Sequence, residues 1–302
     1  ASSLYSVVHE GGHALYELHV GRELSRTCLG GGVSMAIHES QSRFYENIIG
    51  RSRAFCSVLL PWLKEHFPEQ LVDMTEEQFY RMVNRSQPSL IRTEADELTY
   101  CLHIMVRYEL EKQMFAGTIT AHDLPAAWNR LYKEYLGVDV PSDREGVLQD
   151  SHWANGNIGY FPSYAIGSAY GAQYLLEMQK DLDVEAAVRS GKLTAINRWL
   201  EEKIWKYGCM KDPVALFESV CGPFRPEEYV AYLEKNRDLV EQTLKDVPGI
   251  EVTHAEGTYL LWLDCRGLGF ESQKALDKWL VEIAKLGFNS GMSFGPEGEG
   301  YA

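Results

Sequence analysis

The chain has 302 residues, 45% of them apolar, and a formal net charge of −14. That length allows one large domain or two with a buried core, and the acidic balance argues against nucleic acid or an anionic membrane as a partner, because both would repel it. No run of about 18 apolar residues could form a transmembrane helix, and no basic-then-apolar signal segment is seen. Cys28, Cys56, Cys101, Cys209, Cys221 and Cys265 contain no C-x-x-C pair. That argues against a cysteine zinc site and a disulfide framework and suits a reducing, cytoplasmic setting.

In chain order, residues 4–18 are predicted to be helical, with Leu4, Val7, Val8, Leu15 and Leu18 as an apolar stripe and Ser2 or Ser3 as a cap. Gly11 and Gly12 inside that helix cost about 1 kcal/mol each relative to Ala; close approach of a neighbouring segment or of substrate is the expected reason. Gly30-Gly31-Gly32 marks a loop, and a second helical stretch starts over Ile37–Phe44 and runs past Ile49 toward Leu63. Thr75 and Gln78 form a capping-box signature, and Pro88–Arg92 reads as extended. Helices follow over Ala95–Met114, from an opening at His122-Asp123-Leu124-Pro125 to about Tyr135, and over Tyr164–Lys180, with a loop at 137–162 and shorter helices at 183–190, 194–207 and 212–219. From about residue 250 the texture changes to two strands and a helix, Ile250–Thr253, Thr258–Leu263 and Ser272–Leu286. A separate unit after about residue 236 is expected, and both ends read as cut, so the chain is expected to be a fragment.

The chemistry is concentrated in His9-Glu10-Gly11-Gly12-His13, an H-E-x-x-H match. Four positions apart on a helix, His9 and His13 point from one face and can share a zinc ion, with Glu10 one step round as a base for water. A catalytic zinc site needs a third protein ligand. Glu39, on the second helix after the glycine loop, is the expected third ligand and His38 the competing one. Adjacent helical residues diverge by about 100°, so only one of the two is expected to reach the metal. Tyr160 or His152 could donate to the oxyanion. His19, His66, His103 and His122 are read as surface or core residues.

Four segments carry a family resemblance: His9–Glu17, His38–Arg43, Ile91-Arg92-Thr93-Glu94-Ala95-Asp96-Glu97-Leu98-Thr99-Tyr100, and Gly146-Val147-Leu148-Gln149-Asp150-Ser151-His152-Trp153. On these, residues 1–235 resemble the C-terminal half of the M32 (carboxypeptidase Taq) metallocarboxypeptidases. The resemblance implies a mainly α fold, a zincin-like helical metallopeptidase half followed by the small α+β segment. It implies release of C-terminal residues from peptide substrates, a divalent metal (zinc or cobalt) held by His9, His13 and Glu39, Glu10 as base, and a homodimer. Arg92 becomes a candidate for the substrate's terminal carboxylate, against an internal ion pair with Glu94 or Asp96. Gln149, Asp150, His152 and Trp153 are expected to shape the substrate pocket or support it. The family's H-P-F and D-x-R-x-T motifs are absent, so apolar helix faces are expected to be exposed. Residues 236–302 resemble part of the C-terminal domain of fold-type I pyridoxal-phosphate enzymes, near the cystathionine β-lyases and class I/II aminotransferases. The matching stretches are Val247–Ile250, Glu256–Asp264 and Gly291–Gly295. That family's Schiff-base lysine is not found here, so no PLP is expected and a fused reading frame is the simplest account. The alternatives are a catalytically inactive fusion fragment and a PLP-dependent aminotransferase or C–S lyase.

Overall fold

The computed structural model describes residues 2–226, 241–253 except 243, 262–284, and 290–302 except 295. They fall into two compact units, Ala1–Phe224 and Arg225–Ala302. The chain is mainly helical, and among the described residues one two-stranded sheet lies near the C-terminal end.

In the first unit the H-E-x-x-H motif sits in α1 (Ser2–Leu18) and Glu39 in α2 (Met35–Arg43), whose start is capped by the Ser34 side chain on Ala36 N. Further helices are α3 (Arg53–His66), α4 (Pro68–Leu71), α5 (Glu76–Val83), α6 (Tyr100–Phe115), α7 (Leu124–Leu136), α8 (Pro162–Asp181), α9 (Val184–Arg189), α10 (Thr194–Lys203) and α11 (Pro213–Cys221). Both halves of the expected Thr75/Gln78 capping box are present.

α2 packs against both α1 and α8, and glycines make the approach possible. A Cβ on Gly12 would lie 2.6 Å from Ser42 Cα and 2.7 Å from Gln41 O. One on Gly167 of α8 would lie 2.6 Å from Glu39 Cβ. Gly11, in contrast, faces open space. The pair expected to share one explanation therefore divides. Gly11→Ala is expected to stabilise the chain by up to about 1 kcal/mol through helix propensity. Gly12→Ala collides with backbone that cannot move aside and is expected to cost about 1–3 kcal/mol. Paired thermal melts check the opposite signs; two shifts in the same direction would contradict the packing described.

Several boundaries differ from expectation. The helix from Ile37 does not run on to Leu63: α2 passes into a π-helical segment, Phe44–Ile49, and the chain breaks before Ser52 recaps α3. π-turns often mark functional positions, and this one carries Glu46. α6 starts at Tyr100 rather than Ala95 because the Asp96 carboxylate ties the preceding loop into a turn. It accepts from Ser86 Oγ (2.7 Å), Gln87 N (3.0 Å), Leu98 N (2.9 Å), Thr99 N (3.0 Å) and Thr99 Oγ1 (2.8 Å). The stretch at 194–207 divides at Ile204, and the buried Trp205 indole donates to Gln41 Oε1 at 2.8 Å. The core nearest the candidate site gathers Tyr16, Ile37, Phe44, Tyr174, Trp205 and Phe217.

In the second unit, β1 (Glu251–Thr253) pairs antiparallel with β2 (Trp262–Asp264), Val252 opposite Leu263. Ala302 exchanges two backbone hydrogen bonds with Leu263, each 3.1 Å. α12 (Gln273–Glu282) covers a core of Ile250, Leu263, Leu276 and Leu280. The start of the expected second strand, Thr258–Leu263, lies outside the described residues. No helix among the described residues is long and apolar enough to cross a membrane.

Candidate metal centre

α1 and α2 bring His9, His13 and Glu39 together: one ligand atom from each lies within 4.8 Å of the others. Glu39 Oε2 is 3.5 Å from His9 Nε2 and 3.7 Å from His13 Nε2. Glu39, rather than His38, faces the two imidazoles. Glu10 is exposed on the same helix, next to His9.

The outer faces of the imidazoles are held by different groups. His9 Nδ1 lies 2.8 Å from Glu46 Oε2. A carboxylate only accepts, so this contact places a proton on Nδ1, and in the neutral ring Nε2 then carries the lone pair. His13 Nδ1 lies 2.9 Å from His38 Nδ1, and His38 Nε2 lies 2.6 Å from Glu17 Oε1. Burial, with His9 and His38 beside it, pulls the His13 imidazole down to about 4, so it is neutral near pH 7. Burial pushes the Glu46 carboxyl up, but the His9 hydrogen bond and the nearby Arg43 and Arg51 outweigh it and hold the group below the usual range.

Glu39 is 1% exposed. Its oxygens accept from Ser42 Oγ (3.0 Å) and from Tyr160 O–H (3.1 Å). Burial nevertheless raises its carboxyl above the ordinary range. A buried carboxylate facing two imidazole lone pairs, each with its other nitrogen engaged, is a donor set that suits a divalent ion.

Among the other expected residues, Tyr160 reaches the centre through Glu39. Burial, with Glu39 adjacent, raises its phenol far above its ordinary value, so it stays a donor. Its loop is clamped by the buried Glu111, which accepts from Trp153 Nε1 at 2.8 Å and Gly159 N at 3.1 Å. His152 is placed in an aromatic cluster with Tyr160, Phe161 and Tyr164 rather than in the triad. Its Nε2 lies 3.1 Å from Tyr164 Oη. Arg92 is 6% exposed, and each of its three guanidinium nitrogens makes a hydrogen bond. Nε and Nη2 donate to Asp150 Oδ1 (3.0 and 2.7 Å), and Nη1 donates to Tyr100 Oη (2.9 Å). The internal partner is thus Asp150, in place of the expected Glu94 or Asp96. Arg107 completes a buried Arg–Asp–Arg arrangement through Asp150 Oδ2.

Sequence reasoning left out Glu17, Glu46, Arg107 and Glu111. Spacing held a signal for the first two: Glu17 stands one turn after His13, and Glu46 two turns after Glu39.

Residues 1–237 match the family described as carboxypeptidase Taq (M32) metallopeptidase. Carboxypeptidase 1 of Bacillus subtilis (strain 168) is 45% identical over 222 residues, covering 73% of this chain and 44% of that protein. An M32 carboxypeptidase crystal structure from Deinococcus radiodurans R1 superposes with a TM-score of 0.73 at 44% identity, over 77% of this chain and 48% of that one. The chain spans about half the length of the curated relatives it matches. An aspartate aminotransferase of Pyrococcus horikoshii is 35% identical over a shorter stretch of 122 residues, 37% of this chain and 31% of that protein.

Proposed function

The chain belongs to the carboxypeptidase Taq (M32) metallopeptidase family through residues 1–237, and from that premise we propose that it hydrolyses C-terminal residues from peptides. His9, His13 and Glu39 would hold the divalent ion, zinc or cobalt. The observation that carries this reading is the convergence of two imidazole nitrogens and one buried carboxylate oxygen within 4.8 Å. When bound, the ion supplies Lewis acidity that polarises a peptide carbonyl and brings the pKa of water toward neutrality. The Glu10 carboxylate takes a proton from the attacking water and returns it to the leaving amine. Tyr160 keeps its phenolic proton, which it donates here to Glu39 Oε1; turned from Glu39 to substrate, the same O–H would stabilise charge developing on the carbonyl oxygen. Arg92 supports the site through Asp150, which fixes the segment leading to His152, rather than anchoring substrate itself.

Metal analysis, together with release of C-terminal amino acids from a blocked dipeptide, tests this reading. The expected result is a stoichiometric divalent ion, activity lost on chelation and restored by zinc or cobalt, and near-complete loss of metal in Glu39→Ala. Absence of bound metal at saturating zinc would sink it. Because the chain spans about half of its relatives' length, a second reading is a chain that binds metal without turnover. It predicts the same metal stoichiometry with no released amino acid. The remaining proposals are a homodimeric, cytoplasmic protein whose residues 236–302 derive from a PLP-enzyme C-terminal domain without binding PLP. An absorbance band of bound PLP would overturn the last of these.

A further inference from the structure

We propose that His38 and Glu17 form an outer positioning chain that presents His13 to the metal, resting on the assignment of His9, His13 and Glu39 as ligands. The argument begins at its far end. Glu17 Oε1 lies 2.6 Å from His38 Nε2. A carboxylate has no proton to give, so this nitrogen carries one. In the neutral ring that leaves His38 Nδ1 as an acceptor. The atom facing it at 2.9 Å is His13 Nδ1, and two lone pairs cannot face each other at that distance. His13 therefore donates from Nδ1, and its Nε2, 3.7 Å from Glu39 Oε2, is left with the free lone pair a metal requires.

The surroundings hold His38 in that position. Glu17 Oε1 also accepts from Gly32 N at 2.8 Å, and Val33 N donates to Tyr16 Oη at 3.1 Å, which staples the glycine loop to α1. The Tyr16 and His38 rings lie 4.9 Å apart between centroids. A Cβ on Gly32 would fall 2.6 Å from His38 Nε2 and 2.7 Å from Tyr16 Cε1, so the loop must carry glycine where it passes the imidazole. The Gly30-Gly31-Gly32 run, which from sequence alone marks only a loop, thereby shapes the slot for His38. His9 needs no such intermediary, because Glu46 meets it directly.

The experiment measures zinc dissociation constants of the full chain by chelator competition, with the Co²⁺ d–d absorption spectrum as a second readout. Melts of the metal-free proteins show that each variant is folded. His38→Phe keeps a ring in the slot and removes both nitrogens; it is expected to bind zinc roughly 10–100-fold more weakly than the parent chain. His38→Asn retains an acceptor for His13 but loses Glu17, and falls between. Glu17→Gln keeps an acceptor for His38 without the charge and weakens zinc a few-fold. All three are expected to retain the parental Co²⁺ spectrum, because none removes a ligand. Unchanged zinc affinity in His38→Phe would overturn the inference; if that variant does not fold, unchanged affinity in Glu17→Gln would do so. A changed Co²⁺ spectrum in His38→Phe would overturn it by making His38 a ligand. The underlying site reading fails separately, if the parent chain binds no zinc or Glu39→Ala binds it unimpaired.

Discussion

Glu10→Gln is expected to bind zinc as tightly as the parent chain and to release C-terminal amino acids from a blocked dipeptide roughly 10²–10⁴-fold more slowly. The substitution keeps the size of the side chain and removes only its charge and basicity. Glu10 is exposed on α1, so stability is expected to change by less than about 0.5 kcal/mol. It stands about 100° round the helix from His9, while the three proposed ligand atoms come from His9, His13 and Glu39. The loss belongs to the proton-transfer step and is expected in kcat with KM little altered. This pattern separates Glu10 from Glu39, whose removal takes metal and turnover together. Near-parental turnover in Glu10→Gln would assign the base elsewhere, and loss of zinc would make Glu10 a ligand.

The parts of the site that follow helical periodicity were legible in the sequence. His9 and His13 share a face because they are four residues apart, and the two-helix arrangement with Glu39 follows from a glycine loop that lets the chain return. Tyr160 was reachable only as one of two oxyanion candidates. Its contact with Glu39 spans 121 residues of sequence, and no local pattern records that separation. His38 was visible as a rival to Glu39 but not as a partner of His13, because the distinction depends on which way two neighbouring side chains leave α2. The Asp150 pairing of Arg92 was missed for a related reason. Short-range logic offered Glu94 and Asp96, yet Asp96 is occupied with five donors of its own loop. The guanidinium therefore turns to a carboxylate 58 residues further on. In the same way Gly12 and Gly11 look alike in sequence; only the position of α2 shows that one of them is pressed against backbone.

Asp150→Asn is expected to destabilise the chain by about 3–5 kcal/mol, the usual cost of breaking a buried ion pair from one side. The variant is nearly isosteric, so the loss is electrostatic: Arg92 and Arg107, with side chains 7% and 0% exposed, would share no countercharge at Asp150. At roughly 2–4 °C per kcal/mol for a unit of this size, the melting temperature should fall by about 10 °C. The pH dependence gives an independent check. Burial pushes the Asp150 carboxyl up, but Arg107 and Arg92 more than offset it and hold the group below its ordinary value. A folded pKa below the unfolded one of about 3.9 means the unfolded chain takes up the proton first as pH falls. The stabilisation is therefore complete above about pH 4 and is lost as pH drops through the folded value. The gap between parent and variant should be constant through the neutral range and narrow only in acid. A loss under about 1 kcal/mol, or a gap that instead narrows as pH rises from 5 to 8, would mean the two guanidinium groups do not depend on Asp150. Arg92 would then again be free to take a substrate carboxylate.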